Sequence, residues 1–119
     1  MAFRFESLQI WHMGRDYAKM AYQLTAKFPR KEDYGLTSQI NRAANSISLN
    51  IAEGSAKKSA KHFDVYLDNA VGSTFEVVAG GFRALDEGYI DQATLNALYT
   101  EGETLAKAIN SFRRTLKLD

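Results

Sequence analysis

Hydrophobic positions along the chain recur every three or four residues, and only a few turn-forming residues interrupt them. Ile10, Met13, Tyr17, Met20, Ala21, Leu24 and Phe28 keep this spacing, which is the period of one face of an α-helix. Pro29, the only proline, follows at once. Inside a helix a proline removes a backbone hydrogen bond and clashes with the preceding turn, so a first helix is expected over about residues 7 to 28. Leu36, Ile40, Ala43, Ala44, Ile47 and Ile51 form a second stripe. They predict a helix from near Tyr34 to Glu53, with Gly54 as its C-terminal stop.

Ser59 is a candidate N-cap for a third helix, whose stripe runs through Phe63, Leu67, Ala70, Val71, Thr74, Val78, Phe82 and Leu85 to Gly88. Asp91 is the next candidate cap, ahead of Leu95, Leu98, Gly102, Leu105, Ile109, Phe112 and Leu116. No run of alternating β-branched residues competes with this pattern. Helices of about 20 to 28 residues are roughly 30 to 42 Å long. Joined by short loops they predict an all-α fold, an antiparallel up-down-up-down four-helix bundle forming a single domain over residues 1–119. Gly72, Gly80 and Gly81 interrupt the third helix, each at a cost of up to about 1 kcal/mol relative to alanine. Close helix contact, or a bend at Gly80-Gly81, would explain them.

Some residues lie outside this one-stripe pattern. Trp11, Ala18 and Tyr22 sit off the main stripe of the first helix, and Tyr66 and Val77 line up on another face of the third. Trp and Tyr in such numbers suit a self-association surface. The second helix carries Gln39, Arg42, Asn50 and Glu53 beside its apolar stripe. A polar network of these residues, within the bundle or between subunits, would fix register and partner number at some cost in stability.

Composition narrows the classes of function. Hydrophobic residues make up 45% and charged residues 24% of 119, which fits a folded globular chain rather than disorder. The net charge is +1, so anion binding requires a local patch or the copies of one patch in an oligomer. There is no cysteine, which removes disulfides, thiolate nucleophiles and cysteine metal sites. The opening MAFRFESLQIW carries Arg4 and Glu6 and does not read as a signal peptide. No segment approaches the roughly 20 apolar residues of a membrane span. A cytoplasmic protein is expected.

Catalytic chemistry has little foothold. His12 and His62 lack a metal-ligating partner at i+3 or i+4. Ser38, Ser46 and Ser48 have no activating context. Asp64 and Asp68, beside Lys61, read as a solvated charged face. The expectation is no enzyme, no metal and no cofactor.

Basic residues remain. Lys57, Lys58 and Lys61 cluster at the start of the third helix, and Arg113, Arg114 and Lys117 at the end of the fourth. An antiparallel bundle brings these two groups to one end, with Arg30 and Lys31 at the other. That end is a candidate phosphate site. Otherwise it is a solubilising rim whose cations complement the C-terminus of the fourth helix.

The segment FPRKEDYGLTSQINRAANSISLNIAEGSAKKSAKHFDVYLDNAVGS, with the later EGYI, resembles the four-helix-bundle proteins encoded in intervening sequences of bacterial large-subunit ribosomal RNA genes. The likeness rests on Phe28-Pro29, Tyr34 to Gln39, Arg42-Ala43-Ala44, Ser46-Ile47 and Asn50 to Gly54. It resumes at Phe63, Leu67, Ala70, Gly72-Ser73 and Gly88-Tyr89-Ile90. Where the family carries arginine or arginine-lysine after Glu-Gly, this chain has Ala56-Lys57-Lys58, which keeps the charge.

The resemblance implies a ribosomal-protein-like bundle that assembles as a homopentamer. A related group, the accessory variability proteins of diversity-generating retroelements, forms similar barrels, binds nucleic acid and associates with a reverse transcriptase. By that resemblance the expected partners are a second copy of the chain, RNA or DNA, and a reverse-transcriptase-like protein. The two functions that follow are a nucleic-acid-binding accessory protein and a protein-interaction scaffold.

Overall fold

Local chemistry starts and stops each helix. The structure, a computed structural model that describes residues 2–118, contains α1 (Gln9–Thr25), α2 (Leu36–Ser55), α3 (Ala60–Asp86) and α4 (Gln92–Arg113). Short 3₁₀ turns occupy Arg4–Ser7 and Arg30–Glu32, and there is no strand among the described residues. Ser59 Oγ accepts the His62 N–H at 3.1 Å and caps α3. Asp91 Oδ1 accepts the Thr94 N–H at 2.8 Å and caps α4. The start of α2 is capped from outside the helix, where Glu32 Oε1 accepts the Leu36 N–H at 3.0 Å. Gly88 takes a φ of 78° in the turn between α3 and α4, a conformation glycine adopts without steric cost.

Three boundaries differ from the sequence reading. The first helix begins at Gln9, because Leu8 is extended. It ends at Thr25, and the chain then closes into a turn in which the Phe28 N–H donates to the Thr25 carbonyl. Phe28 stays buried although it has left the helix. Nor does Gly54 stop α2, which runs on to Ser55. Its role is contact, since a Cβ there would stand 2.6 Å from the Tyr66 Cβ.

The register of α3 is the main correction. Its buried face is Phe63, Leu67, Ala70, Thr74, Val77, Gly81 and Ala84, an alternation of four and three residues. Val77, expected on a second face, is fully buried, while Phe82, expected in the core, is 48% exposed. α3 passes unbroken through Gly80 and Gly81. A Cβ on Gly80 would lie 2.6 Å from Ile40 Cγ1, and one on Gly81 would lie 2.6 Å from Leu98 Cδ2. Close packing accounts for both glycines. Gly72 has open space around it.

The helices pack in cyclic order, α1 on α2, α2 on α3, α3 on α4, with α4 closing on α1. The result is a rod of 47 × 23 × 21 Å, an antiparallel four-helix bundle. Ile40, Ile47 and Ile51 of α2 meet Leu67 and Val77 of α3 and Leu98, Leu105 and Ile109 of α4 in the core. Tyr17 is buried with them, and its hydroxyl donates to the Leu98 carbonyl at 2.8 Å. Burial raises the ionisation of this phenol far above the ordinary tyrosine range, with a further push from Glu101. Among the described residues, no helix is long and apolar enough to cross a membrane.

Candidate nucleic-acid interface

Antiparallel packing brings the start of α1, the end of α2, the start of α3 and the end of α4 to one end of the rod. Lys57 and Lys58 lie in the α2–α3 turn, Lys61 in the first turn of α3, and Arg114 and Lys117 beyond the last turn of α4. Phe63 and Phe112, with ring centres 5.6 Å apart, clamp α3 to α4 here. The Arg4 guanidinium lies 5.0 Å over the Phe63 ring. That cation joins the end from the N-terminal 3₁₀ turn, and the sequence reading missed it because no periodicity covers that turn. Lys57 Nζ sits 5.1 Å over the Tyr66 ring, a cation–π contact.

Arg113 is placed differently from its neighbours. Its Nε donates to Asp64 Oδ1 at 2.7 Å and its Nη2 to Asp64 Oδ2 at 3.2 Å. Nη1 donates to Asp68 Oδ1 at 3.2 Å and to Asn110 Oδ1 at 3.1 Å. Asp64 is therefore not a solvated surface acid but one half of a fork that ties α3 to α4. The hydrogen bond from Arg113 holds the Asp64 carboxyl below the usual carboxylate range, and the same contact raises Arg113. Lys57, Lys58, Lys61, Arg114 and Lys117 make no ion pair among the described residues.

The opposite end is mixed in charge. Arg83 is paired with Asp86 at 3.3 Å and Glu87 at 3.0 Å, and Arg30 and Lys31 sit beside Glu32 and Asp33. Glu32 Oε2 accepts the Tyr89 hydroxyl at 2.7 Å. The bond that Glu32 accepts from the Leu36 N–H, followed by this one, lowers its carboxyl, and the bond to Glu32 pushes the Tyr89 phenol up to about 12.

The polar residues of α2 do not join one another within the chain. Asn50 Nδ2 donates to the Ser46 carbonyl at 2.8 Å, Arg42 Nη2 to Ser38 Oγ at 3.4 Å, and Tyr66 to Glu53 Oε2 at 3.2 Å. Gln39 is exposed. Through Tyr66, Glu53 ties α2 to α3, and the other polar contacts of α2 with its neighbours come from further side chains. Thr25 donates to Asn41 Oδ1 at 3.0 Å, Asn45 donates to the Tyr22 hydroxyl at 2.7 Å, and the Ser46 and Ser73 hydroxyls bond α2 to α3.

Trp11, expected on a self-association surface, packs within its own chain against Phe5 at 4.6 Å and under Arg15 at 4.7 Å. Tyr22, expected on the same surface, is 47% exposed, and exposed aromatic side chains also lie elsewhere on the helices. Phe75, Phe82 and Tyr99 are exposed, along an α3–α4 groove of about 510 Å³. His12 Nε2 donates to the Glu6 carbonyl at 2.8 Å, and no cluster of metal-ligating side chains occurs among the described residues.

Comparison with known proteins agrees with this architecture. The sequence pattern of the family described as 23S rRNA-intervening sequence protein matches residues 6–111. A solved structure of a protein of unknown function from the S23 ribosomal protein family of Bacteroides thetaiotaomicron superposes with a TM-score of 0.77 at 18% identity. The superposition covers 87% of this chain and 97% of the other, and it shows a shared fold. No curated protein matches the chain.

Proposed function

The chain belongs to the family of 23S rRNA-intervening sequence proteins, and from that premise we propose that it is a non-enzymatic accessory protein that binds RNA through the basic end of its bundle. The observation that carries the proposal is the uneven distribution of charge in a chain of net charge +1. At one end Arg4, Lys57, Lys58, Lys61, Arg114 and Lys117 stand without a carboxylate partner among the described residues, while at the other end Arg83 is paired with Asp86 and Glu87, and Arg30 and Lys31 are followed directly by Glu32 and Asp33. A cation cluster of this kind contacts phosphates and orients the nucleic acid without reading its sequence. Assembly into a homo-oligomer, as a pentamer, would repeat the patch and multiply a weak contact into a strong one.

A protein-interaction scaffold is the second reading, favoured by the exposed Phe75, Phe82 and Tyr99 along the α3–α4 groove. Binding of a structured RNA at several salt concentrations separates the two. For RNA binding, affinity falls with salt at a log–log slope of about −0.7 to −0.9 per phosphate contact. Lys57→Glu, Lys58→Glu and Lys61→Glu together abolish it and leave helicity and oligomer size unchanged. If the triple variant binds like the parent, or the parent shows no salt-sensitive binding, the RNA reading is wrong and the scaffold takes its place.

A further inference from the structure

Next to the basic end, Phe3, the N-terminal 3₁₀ turn and the first turn of α1 carry a run of aromatic rings in contact with one another. Phe3 stacks on Phe5 with centres 5.6 Å apart and planes 29° from parallel. Phe5 in turn meets Trp11 at 4.6 Å, and Trp11 meets His12 edge-on at 4.9 Å. Phe5 and Trp11 are half-buried and tie the turn down, but Phe3 is 60% exposed. It lies outside the buried core and forms the exposed end of the ladder. Arg15 covers Trp11, and Arg4 projects from the same turn toward Phe63. Neither arginine has a carboxylate partner among the described residues. The turn packs against α2, the helix that leads into Lys57 and Lys58.

We infer that this ladder is a stacking surface for unpaired bases, so that the RNA held at the basic end presents a single-stranded segment to Phe3. The inference rests on the RNA-binding reading above and adds the class of RNA to it. Every base has a π-face that stacks on an aromatic ring regardless of sequence, and arginine beside such rings holds the adjoining phosphates. Bases in an A-form duplex are already stacked and show proteins their edges and backbone, not their faces. An apolar protein partner would cover Arg4 and Arg15 without supplying an anion, which disfavours it.

Trp11 is the only tryptophan of the chain, so its emission reports directly on the ladder. The test titrates the intact protein at fixed salt with a short single-stranded oligouridylate and with an RNA duplex carrying the same number of phosphates. Electrophoretic mobility shift measures binding independently. The expected result is saturable quenching of Trp11 by the single strand and tighter binding of it than of the duplex. Phe3→Leu, which keeps apolar area but removes the ring, weakens single-strand binding by about five- to hundredfold, whereas Phe3→Tyr retains it. Neither change touches duplex binding or, since Phe3 is exposed, helicity. Single-strand binding that leaves Trp11 emission unmoved, or that Phe3→Leu does not weaken, overturns the inference and leaves the basic-end reading standing. Binding of neither RNA overturns both.

Discussion

Arg113→Ala should loosen the seam between α3 and α4 while leaving RNA binding nearly untouched. Exposed ion pairs contribute about 0.2–1 kcal/mol, whereas breaking a fully buried pair costs about 3–5 kcal/mol. The Arg113 and Asp64 side chains are 24% and 22% exposed, and two hydrogen bonds of 2.7 and 3.2 Å join them. Asp68, at 68% exposure, adds little. The fork thus falls between the two limits, and its loss should cost about 1–2 kcal/mol. For a chain of 119 residues that lowers Tm by about 4–10 °C. Thermal unfolding followed by circular dichroism, at one protein concentration so that any assembly is held constant, reads this directly.

Dependence on pH adds a check of sign. The Asp64 carboxyl is lowered in the folded chain, from about 3.9 when unfolded. Its stabilising contribution is therefore complete above about pH 4 and is lost as pH falls through the lower folded value. Parent and variant should differ fully at pH 7 and converge in acid, and Asp64→Asn should make Arg113→Ala nearly silent. An unchanged Tm at pH 7, a difference that persists in acid, or loss of RNA binding at full stability would each refute the assignment of Arg113 to the seam.

Glycine substitutions separate packing from propensity. Gly72→Ala, with nothing near its Cβ, should stabilise by about 0.5–1 kcal/mol. Gly102→Ala, whose Cβ would stand 2.5 Å from the Tyr17 hydroxyl, should destabilise by about 1–3 kcal/mol; denaturant midpoints decide both. Tyr89 should not ionise until about pH 12, and Glu32→Gln should bring it toward the ordinary tyrosine value of about 10. Because this phenol is raised on folding, its bond to Glu32 contributes fully below about pH 10 and is lost as pH climbs through the folded value. Ultraviolet absorbance titration, taken as the difference from Tyr89→Phe, follows it.

The bundle was legible because its punctuation is local. Pro29, Ser59, Gly88 and Asp91 act on their own turns, so helix number and order follow from them together with the 3.6-residue period. The register of α3 was less legible because Val77 and Val78 are both apolar and Phe75 and Phe82 surround them. Several stripes then fit the sequence, and only the glycine contacts with Ile40 and Leu98 select one. Lys57, Lys58, Lys61, Arg114 and Lys117 could be gathered at one end from antiparallel topology alone. The capture of Arg113 could not, because its partner Asp64 is distant in the chain and nothing local couples the two. The cap on α2 escaped for a similar reason, since Glu32 reaches in from a 3₁₀ turn with no periodic signal.

RNA binding at one end of the rod is tested most directly by lysine acetylation with and without RNA, read by mass spectrometry. Lys57, Lys58, Lys61 and Lys117 should be protected by bound RNA and regain reactivity as salt rises. Lys27 and Lys31 at the other end, and Lys107, whose Nζ lies 4.0 Å from Glu103, should react equally in both states. Equal protection of Lys27 and Lys31, or no protection of the Lys57 cluster in a protein that still binds RNA, would contradict an interface at the basic end.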